Sequence, residues 1–516
     1  MSRRAILLAA AMTLGCVPAA PQAPASDVRL VVHLSVDQLR PDYLARWRDE
    51  LTGGLGRLVR EGVVYLMAEQ DHAITETAPG HASMMSGRWP ASTGIISNDR
   101  GVPDRAYPLL GSAGWGASPA RFQGTTLYDW MRAAFPEARA LSVSRKDRGA
   151  ILPVGRAAAN VFWWSSGRFT TSRWYATSLP AWLEAWNARD PIERLRGSSW
   201  TPLAGVRYPE PDDRPFERAG REPTFPHRMP DDWTAAANAV TSFPVMDSLT
   251  LDAAWHGVRA MALGQGDHPD FLAVSLSTTD AVGHDFGPGS VELHDQVRRL
   301  DRQLAWFLDS LASVVPPGRT IISLTADHGV QEYPEAGAGG RLSLATERRA
   351  LETWIHERWA LDADVSDESG LLMANTGDLR RRGVDIDSIA AAIAGRLRDQ
   401  PGVRDVFTPT SLARRADAEA MRWRRQLGPQ AEWLVAVSLE PGWLFASGAT
   451  STSHGTTNLL DRRVPLIVRA PGRTPRQVDR VVGVVDLAPT VAALLGIAPT
   501  EPLDGTVLPE VVPPRR

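Results

Sequence analysis

Cysteine is almost absent from this chain, which has one, Cys16, among 516 residues. One cysteine excludes an internal disulfide, so the fold must be stabilised by its core or by a bound metal. Charge of one sign is also lacking, because 56 basic side chains oppose 59 acidic ones and the net charge is -3. No extended field of one sign is therefore available to attract a nucleic acid polymer or an anionic membrane surface.

The N-terminus lacks a hydrophobic run long enough to span a bilayer. An apolar run from Ala5 to Leu14 follows two arginines, a pattern typical of a secretory signal peptide over residues 1–25. Cleavage after the A-x-A segment 23–25 and lipoprotein processing at Cys16, which would carry a lipid anchor, both fit. We expect an exported protein, in the periplasm or lipid-anchored to the outer membrane of a Gram-negative-type bacterium. A monomer is favoured, although the sequence does not determine the oligomeric state.

The rest of the composition, 43% hydrophobic and 22% charged, can form a large globular core. Buried strands are indicated by four apolar runs, 30–36, 271–277, 320–325 and 464–468. Continuous apolar strands predict an α/β fold with a central mostly parallel sheet between helices. Asp37, Asp280 and Asp327 follow three of these runs. Because ligands bind at the carboxyl ends of such strands, we expect the three carboxylates to share a site.

Other segments indicate how the chain is organised. Apolar residues at helical spacing from Ser290 to Ser313 predict a packing helix. We assign residues 27–505 to one domain that contains two insertions. The insertion 176–244, rich in proline, tryptophan and charge, is predicted to be loop-rich. The insertion 340–446 has a strand-helix-strand pattern and is predicted to form an α/β cap.

Six aspartates and histidines are candidate metal ligands, which we divide into two groups of three. Zinc accepts aspartate oxygen and histidine nitrogen in near-tetrahedral sites. In the segment D-x-x-x-H, we expect the chain to leave its strand and turn back, so that both side chains face one ion. A single such residue is usually structural, but six of them, most at or just past strand ends, predict two metal sites. The groups are Asp37, Asp327 and His328, and Asp280, His284 and His454.

Thr77 begins the segment T-A-P-G-H. It is predicted to be the N-cap of a helix with Pro79 in the first turn, and such a threonine is usually only a cap. A hydroxyl there also lies among free N–H groups at the positive end of the helix dipole, where phosphate is favoured. A hydroxyl is a poor nucleophile unless a base or metal activates it, and the predicted metal sites would do so.

The order of these motifs is specific: Asp37, Thr77 in T-A-P-G-H, Asn98, Asp280-x-x-x-His284, Asp327-His328 and His454-Gly455. It resembles the alkaline phosphatase superfamily, in the branch of type I phosphodiesterases and nucleotide pyrophosphatases. The segments S-R-K-D-R at 144–148 and V-F-W-W at 161–164 resemble, more narrowly, the phosphate-irrepressible bacterial alkaline phosphatases with a threonine nucleophile. The resemblance extends from about residue 28 to residue 505.

The resemblance implies a zinc-dependent phosphomonoesterase. Thr77 would attack small phosphate monoesters and form a phosphothreonine, whose hydrolysis releases inorganic phosphate. Two zinc ions per chain would stabilise the entering and the leaving oxygen. Asn98, Lys146 and Arg148 would act in catalysis and bind the substrate by donating hydrogen bonds to phosphoryl oxygens. One zinc ion would be held by Asp37, Asp327, His328 and Thr77, and the other by Asp280, His284 and His454.

Lysine is nearly absent as well, since Lys146 is the only one among the 56 basic residues. This suggests a position that requires a compact point charge. A monoester has three free oxygens and an additional negative charge, so Lys146 and Arg148 favour a monoesterase over a diesterase. The alternative is a nucleotide phosphodiesterase or pyrophosphatase of the same superfamily. A sulfatase is disfavoured because no C-x-P-S-R segment is present, and a binding protein without turnover because every expected ligand is present.

Overall fold

The computed structural model describes residues 27–112, 114–446 and 451–513. The predicted signal peptide, residues 1–25 with Cys16, lies outside the described residues. Among the helices of the described ranges, none combines the length and the apolar composition needed to cross a membrane.

The strands of the described ranges are, in chain order, β1 (Leu30–Val36), β2 (Val63–Glu69), β3 (Ala140–Ser144), β4 (Asn160–Ser165), β5 (Arg168–Thr170), β6 (Ser199–Trp200), β7 (His227–Arg228), β8 (Asp270–Leu276), β9 (Thr320–Thr325), β10 (Gly340–Leu342), β11 (Ser366–Glu368), β12 (Leu371–Met373), β13 (Val403–Phe407), β14 (Trp433–Leu439), β15 (Trp443–Phe445), β16 (Arg463–Arg469), β17 (Arg476–Val478) and β18 (Val482–Gly483).

The α-helices of the same ranges are α1 (Pro41–Arg46), α2 (Gly54–Glu61), α3 (Thr77–Ser86), α4 (Pro90–Thr93), α5 (Leu127–Ala134), α6 (Asp147–Ile151), α7 (Ala181–Asn187), α8 (Pro191–Leu195), α9 (Trp233–Ala239), α10 (Val245–Ala260), α11 (Thr278–Phe286), α12 (Val291–Ala312), α13 (Ala345–Trp359), α14 (Thr376–Arg381), α15 (Ile386–Arg398), α16 (Pro409–Arg414), α17 (Ala418–Gln426), α18 (Leu459–Arg462) and α19 (Leu487–Leu495).

A ten-stranded sheet lies at the centre of the described chain, in the order β17-β2-β16-β9-β1-β8-β3-β4-β5, with β18 also paired to β2. Strand β1 runs parallel to both β8 and β9, and β3 runs parallel to β8 and β4. Every residue of β1, β8 and β9 is buried, which requires cover on both faces of the sheet. The predicted α/β fold with a central mostly parallel sheet is confirmed.

One predicted strand has a different direction from its neighbours. Strand β16, predicted at 464–468 as part of a parallel sheet, runs antiparallel to β9 and β2. The chain enters β16 directly from α18, and the carbonyl of Asp461 in α18 accepts a hydrogen bond from Gly329, just past the end of β9. The strand therefore starts at the edge where β9 ends. Its apolar run indicated burial correctly but carried no information on direction.

The predicted packing helix is confirmed as α12. Ser290 caps it by accepting a hydrogen bond from the backbone of Leu293. The apolar stripe predicted from the sequence, which includes Leu300 and Leu304, is buried. Helices α2 and α10 pack against α12.

The segment 340–446 contains its own antiparallel sheet, in the order β11-β12-β14-β13. Helix α15 packs on β13 and β14, and a second apolar core forms between them that includes Ile389, Ile393 and Leu434. The segment 176–244 contains only short elements in the described ranges, from α7 to α9.

Candidate active site

Three parallel strands place the predicted carboxylates at one edge of the sheet. Asp37 directly follows β1, and Asp327 is the second residue after β9. Asp280 lies in α11, which begins with the second residue after β8. Because β1 pairs in parallel with β8 and β9, all three lie at the carboxyl edge of the sheet, where α/β proteins bind ligands.

Asp280, His284 and His454 form one compact group, in which one ligand atom of each lies within 4.8 Å of the others. The Nε2 atoms of His284 and His454 lie 3.3 Å and 3.6 Å from Oδ1 of Asp280. The Nδ1 of His284 donates to the carbonyl of Thr452 at 2.9 Å, and that of His454 to the carbonyl of Thr75 at 2.7 Å. A carbonyl only accepts, so each Nδ1 carries a proton, and in the neutral rings each Nε2 keeps its lone pair for a cation.

Asp280 and His284 are brought together by helix geometry. They are four residues apart within α11, so one turn places both on the same face. The expectation that the chain turns back at this point was wrong, because α11 begins at Thr278 and continues through both residues.

A second group contains Asp37 and Asp327, whose ligand atoms lie within 4.8 Å of each other. His328 lies between the two groups, because its Nε2 is 3.3 Å from Oδ2 of Asp327 and 4.0 Å from Oδ1 of Asp280. Its Nδ1 donates to the carbonyl of Gly329 at 2.9 Å, which again leaves the lone pair on Nε2.

Two ligand atoms of this second group lack both a hydrogen-bond partner and a contact with Lys146. In the parts of the chain that the structure describes, Nε2 of His328 and Oδ2 of Asp327 are both buried and both unpartnered. Burying polar atoms without partners is costly, and a bound cation would remove that cost. The imidazole nitrogen and carboxylate oxygen are also donor types that zinc accepts. The residues present therefore fit a metal site.

The sequence interpretation missed His81, which lies beside the second group. Its ligand atom falls within 4.8 Å of those of Asp37 and Asp327. The residue was visible in the T-A-P-G-H segment, four positions after Thr77. Nothing in the sequence indicated that the helix would turn this side chain toward two aspartates from other strands.

Thr77 is the first residue of α3 and is 1% exposed. The predicted N-cap was wrong by one residue, because Glu76 holds the extended N-cap conformation. As first helical residue, Thr77 still lies in the turn whose N–H groups lack intrahelical partners. Helix α3 approaches the ligands closely, since a Cβ on Gly80 would lie 2.2 Å from the carbonyl oxygen of Asp327. Only glycine permits this contact.

Lys146 contacts the nucleophile candidate and both ligand groups. Its Nζ donates to Oγ1 of Thr77 at 3.1 Å. The same atom lies 2.9 Å from Oδ2 of Asp37 and 2.7 Å from Oδ2 of Asp280. The lysine side chain is only 9% exposed, so these contacts are shielded from water.

Asn98 is oriented by the first turn of α3. Its Oδ1 accepts a hydrogen bond from the backbone N–H of Ala78 at 3.0 Å, and its own backbone N–H donates to Glu76 at 2.7 Å. Because Oδ1 is engaged, Nδ2 is the end of the side chain that remains to donate to a ligand.

Two arginines border this site. Arg148 makes no hydrogen bond or ion pair to another predicted site residue in the described ranges, and its guanidinium pairs with Asp147. Its Nε is buried without a partner. Arg145, to which the sequence assigned no role, places Nη2 3.8 Å from Oδ2 of Asp280.

Burial and neighbouring charges set the protonation of the ligands. Burial raises the pKa of Asp327 above its usual value, and a neighbouring carboxylate acts in the same direction. Burial alone would raise the pKa of Asp280 too, but Lys146 and His284 hold it well below its usual range. Burial lowers the pKa of His328 to about 4, so this ring is neutral at pH 7, the form that binds a cation.

A cavity of about 410 Å³ opens beside His284 and His454. One wall of the cavity belongs to the part of the chain that carries the central sheet and includes Asn98. The other wall belongs to the inserted segment 340–446. A short hydrogen bond from Ser369 of that segment to Glu76 joins the two walls. The inserted segment contributes Leu342, Glu368 and Phe445 to the lining.

The sequence model of the family described as type I phosphodiesterase / nucleotide pyrophosphatase matches residues 31–460. The chain belongs to this family. Within the family it is similar to alkaline phosphatase PhoV of Synechococcus elongatus, at 30% identity over 94% of this chain and 93% of PhoV. It is also 30% identical to alkaline phosphatase PhoK of a Sphingomonas species, over 94% of this chain and 91% of PhoK. The resemblance inferred from the motifs is confirmed.

A solved structure of the family agrees in fold. The crystal structure of wild-type alkaline phosphatase PafA gives a TM-score of 0.84 at 26% identity, over 95% of this chain and 99% of that chain. A PafA mutant, with a TM-score of 0.86, carries substitutions at a threonine, an asparagine, a lysine and an arginine.

Proposed function

We propose that this family member is a zinc-dependent phosphomonoesterase of the alkaline phosphatase type. It hydrolyses small phosphate monoesters through a phosphothreonine on Thr77 and releases inorganic phosphate. The position of Lys146 carries the proposal, because one ammonium group contacts the Thr77 hydroxyl and one carboxylate from each ligand group. The Lys146 ammonium group, which suits a phosphate, thus contacts the candidate nucleophile and both groups of candidate metal ligands.

Two Zn²⁺ ions would be held by the two ligand groups. Asp280, His284 and His454 would bind one, and Asp37, Asp327 and His328 the other, together with Thr77. When bound, the ions supply Lewis-acid stabilisation of the entering and the leaving oxygen. The unpartnered Nε2 of His328 and Oδ2 of Asp327, and the backbone-anchored rings of His284 and His454, support this assignment.

In the first step, Oγ1 of Thr77 forms a bond to phosphorus while the bond between phosphorus and the ester oxygen breaks. The threonine proton passes to solvent, and the alcohol leaves with a proton taken from solvent. Lys146, at 3.1 Å, favours the negative charge that develops on Oγ1. Nδ2 of Asn98 donates to a non-bridging oxygen, since Ala78 holds the other end of the amide.

In the second step, water attacks the phosphothreonine. The bond between phosphorus and Oγ1 breaks, the Thr77 hydroxyl is restored and inorganic phosphate leaves. Lys146 and Asn98 keep the phosphoryl group in place between the two steps. Arg148, in the first turn of α6 next to Lys146, is assigned the third donor to the phosphoryl oxygens.

Three observations support a monoesterase. Lys146 supplies a buried point charge beside the nucleophile, which favours a dianionic substrate. The relatives PhoV and PhoK are named alkaline phosphatases. In the PafA mutant, the threonine and asparagine have the spacing of Thr77 and Asn98, and the lysine and arginine that of Lys146 and Arg148.

The second candidate is a nucleotide phosphodiesterase or pyrophosphatase. The description of the family model names this activity, and the ligand groups, Thr77 and Asn98 would serve it equally. The cavity roofed by the segment 340–446 has apolar residues such as Leu342 and Phe445, which could hold a second ester substituent.

A comparison of substrates tests the proposal. The purified protein, loaded with zinc, is assayed with an aryl phosphate monoester and the matching bis-aryl diester. We expect kcat/KM for the monoester to exceed that for the diester by orders of magnitude, and mass spectrometry after an acid quench to find phosphate on Thr77. A higher kcat/KM for the diester would favour the second candidate. No zinc-dependent hydrolysis of either ester would contradict both.

We propose export as well, to the periplasm or to a lipid anchor on the outer membrane. Support comes only from the sequence of residues 1–25. Fractionation of wild type and a Cys16→Ala variant in a Gram-negative host distinguishes the routes. Wild type in the membrane fraction and the variant in the periplasmic fraction would indicate lipoprotein processing. Both proteins in the periplasmic fraction would indicate cleavage at residues 23–25. Retention of both in the cytoplasm would contradict export.

A further inference from the structure

His81 lies fully buried beneath the second ligand group, with both ring nitrogens engaged. Its Nδ1 donates to the carbonyl of Thr77 at 2.9 Å. A carbonyl only accepts, so Nδ1 carries a proton, and in the neutral imidazole Nε2 is then an acceptor. Nε2 lies 3.0 Å from Oγ of Ser35, in β1, which is placed to donate to it.

The same ring contacts both carboxylates of the group. Its Nε2 is 3.5 Å from Oδ1 of Asp37, and its Nδ1 is 3.5 Å from Oδ2 of Asp327. Nε2 also lies 3.2 Å from Oγ of Ser275, in β8, and that hydroxyl donates to Oδ1 of Asp37 at 3.2 Å. One imidazole therefore touches the ends of three adjacent strands and the first turn of α3.

His81 and His328 differ in how many of their ring nitrogens have a hydrogen-bond partner. In His328 only Nδ1 is engaged, and Nε2 is buried without a partner among the described residues. In His81 the proton on Nδ1 is given to Thr77 and the lone pair on Nε2 is taken by Ser35, so no lone pair remains for a cation. His81 is thus equipped to orient ligands rather than to be one.

We propose that His81 is a positioning residue for the metal site of Asp37 and Asp327. Its ring, fixed by Thr77 and Ser35, packs within 3.5 Å of both carboxylates and so limits where they can lie beside the helix turn that carries Thr77. The inference rests on the proposed function, because it assumes that these carboxylates bind a metal ion. Outer partners of metal ligands typically contribute about 10- to 100-fold to metal affinity, so the effect is measurable by zinc binding alone.

Zinc titration against a competing chelator, with the full-length protein, tests the role. The variant His81→Asn places an amide near Nδ1, retaining the contact to Thr77, and loses the contacts of Nε2. The variant His81→Gln places an amide near Nε2 and retains the contacts with Ser35 and Ser275. The control is His33→Gln, which removes a different fully buried histidine. His33 lies in β1, bonds a serine, Ser323, and touches neither carboxylate.

We expect wild type to bind two zinc ions in two steps. In His81→Asn one step should weaken by about 10- to 100-fold while the other is unchanged. His81→Gln should recover part of that loss. His33→Gln should lower thermal stability without changing either step. Two unchanged steps in His81→Asn, or an equal loss in His33→Gln, would overturn the proposal.

Cobalt absorption separates positioning from direct ligation. At saturating Co²⁺, the visible bands of His81→Asn should match those of wild type, because the ligand set is retained. Changed bands would show that His81 is a ligand and overturn the proposal. If His81→Asn does not fold, Ser35→Ala replaces it, since among the described residues the Ser35 hydroxyl bonds only the ring of His81. It should weaken the same step by a smaller factor, and two unchanged steps would count against the role.

The proposed function fails separately. Wild type that binds no zinc and hydrolyses no phosphate ester would contradict that function. Wild type that binds two ions and is active, with His81→Asn indistinguishable from it, would remove only the role of His81.

Discussion

The Nζ of Lys146 lies 3.1 Å from the hydroxyl oxygen of Thr77. The same ammonium group contacts Asp37 and Asp280, which belong to different ligand groups. A change at Lys146 therefore acts on the charge felt by the substrate and on the carboxylates of both proposed metal sites. Experiments on this residue have to measure zinc content together with activity.

We expect Lys146→Ala to lower kcat/KM for phosphate monoesters by about 10²- to 10³-fold, the usual cost of removing one donor from a transition-state site. The loss for diesters should be much smaller, because a diester lacks the second negative charge. Steady-state assays with both ester classes at measured zinc content check this. Lys146→Arg keeps the charge in a planar fork and should give an intermediate loss. Equal losses for both classes would contradict the monoesterase argument.

Thr77→Ala should reduce turnover by about 10³-fold or more while most of the zinc is retained, since the aspartates and histidines are unchanged. Thr77→Ser is the matched variant, because it keeps a hydroxyl at the start of α3. It should retain measurable turnover and form a phosphoserine. Single-turnover assays with zinc analysis check both variants. Near-normal activity of Thr77→Ala would remove the residue from its proposed role.

Asn98→Asp offers a near-isosteric test of the phosphoryl donor. The aspartate can still accept the hydrogen bond from Ala78, so the start of α3 should be preserved. It loses the Nδ2 donor and adds a negative charge, so we expect kcat for monoesters to fall by about 10²- to 10³-fold. Asn98→Ala should also lower the thermal stability, because the Ala78 N–H loses its partner. An active Asn98→Asp enzyme would contradict the assigned donor.

Much of the core was predictable because apolar runs report burial directly. The runs 30–36 and 320–325 coincide with β1 and β9, and 271–277 is one residue out of step with β8. Strand direction was not predictable for β16, since an apolar run is the same in either direction. The direction follows from the edge at which α18 delivers the chain, which is a property of the fold.

The site residues also divide into those that the sequence predicted and those that it did not. Strand ends identified Asp37, Asp280 and Asp327, because ligands of parallel sheets collect at their carboxyl edge. His81 was missed, because its contacts come from β1, β8 and β9 and no sequence spacing links them. The capping position was assigned to Thr77 instead of Glu76, since threonine is the preferred cap and glutamate is not.

A last prediction concerns two glutamates outside the site. Glu217 and Glu292 are fully buried, and each leaves one oxygen without a hydrogen-bond partner in the described ranges. Burial raises the pKa of each from the ordinary 4.5 to about 8, and at Glu217 the charge of Glu292 adds to the effect. Between these two pH values the folded protein binds protons that the unfolded chain has lost. The stabilisation that these two glutamates contribute to the free energy of unfolding is therefore fully present below about pH 4.5 and is lost as the pH rises toward 8.

Glu292→Gln removes this ionisation while it keeps the size of the side chain. Buried histidines away from Glu292, such as His72, whose pKa burial lowers to about 4, give the opposite slope below pH 6.5, so the informative quantity is the difference between variant and wild type. Urea unfolding from pH 5 to pH 8 should show the variant gaining stability relative to wild type as the pH rises. Glu357→Gln, at an exposed glutamate, should show a constant difference. A constant difference for Glu292→Gln as well would mean that its carboxyl group ionises normally in the folded protein.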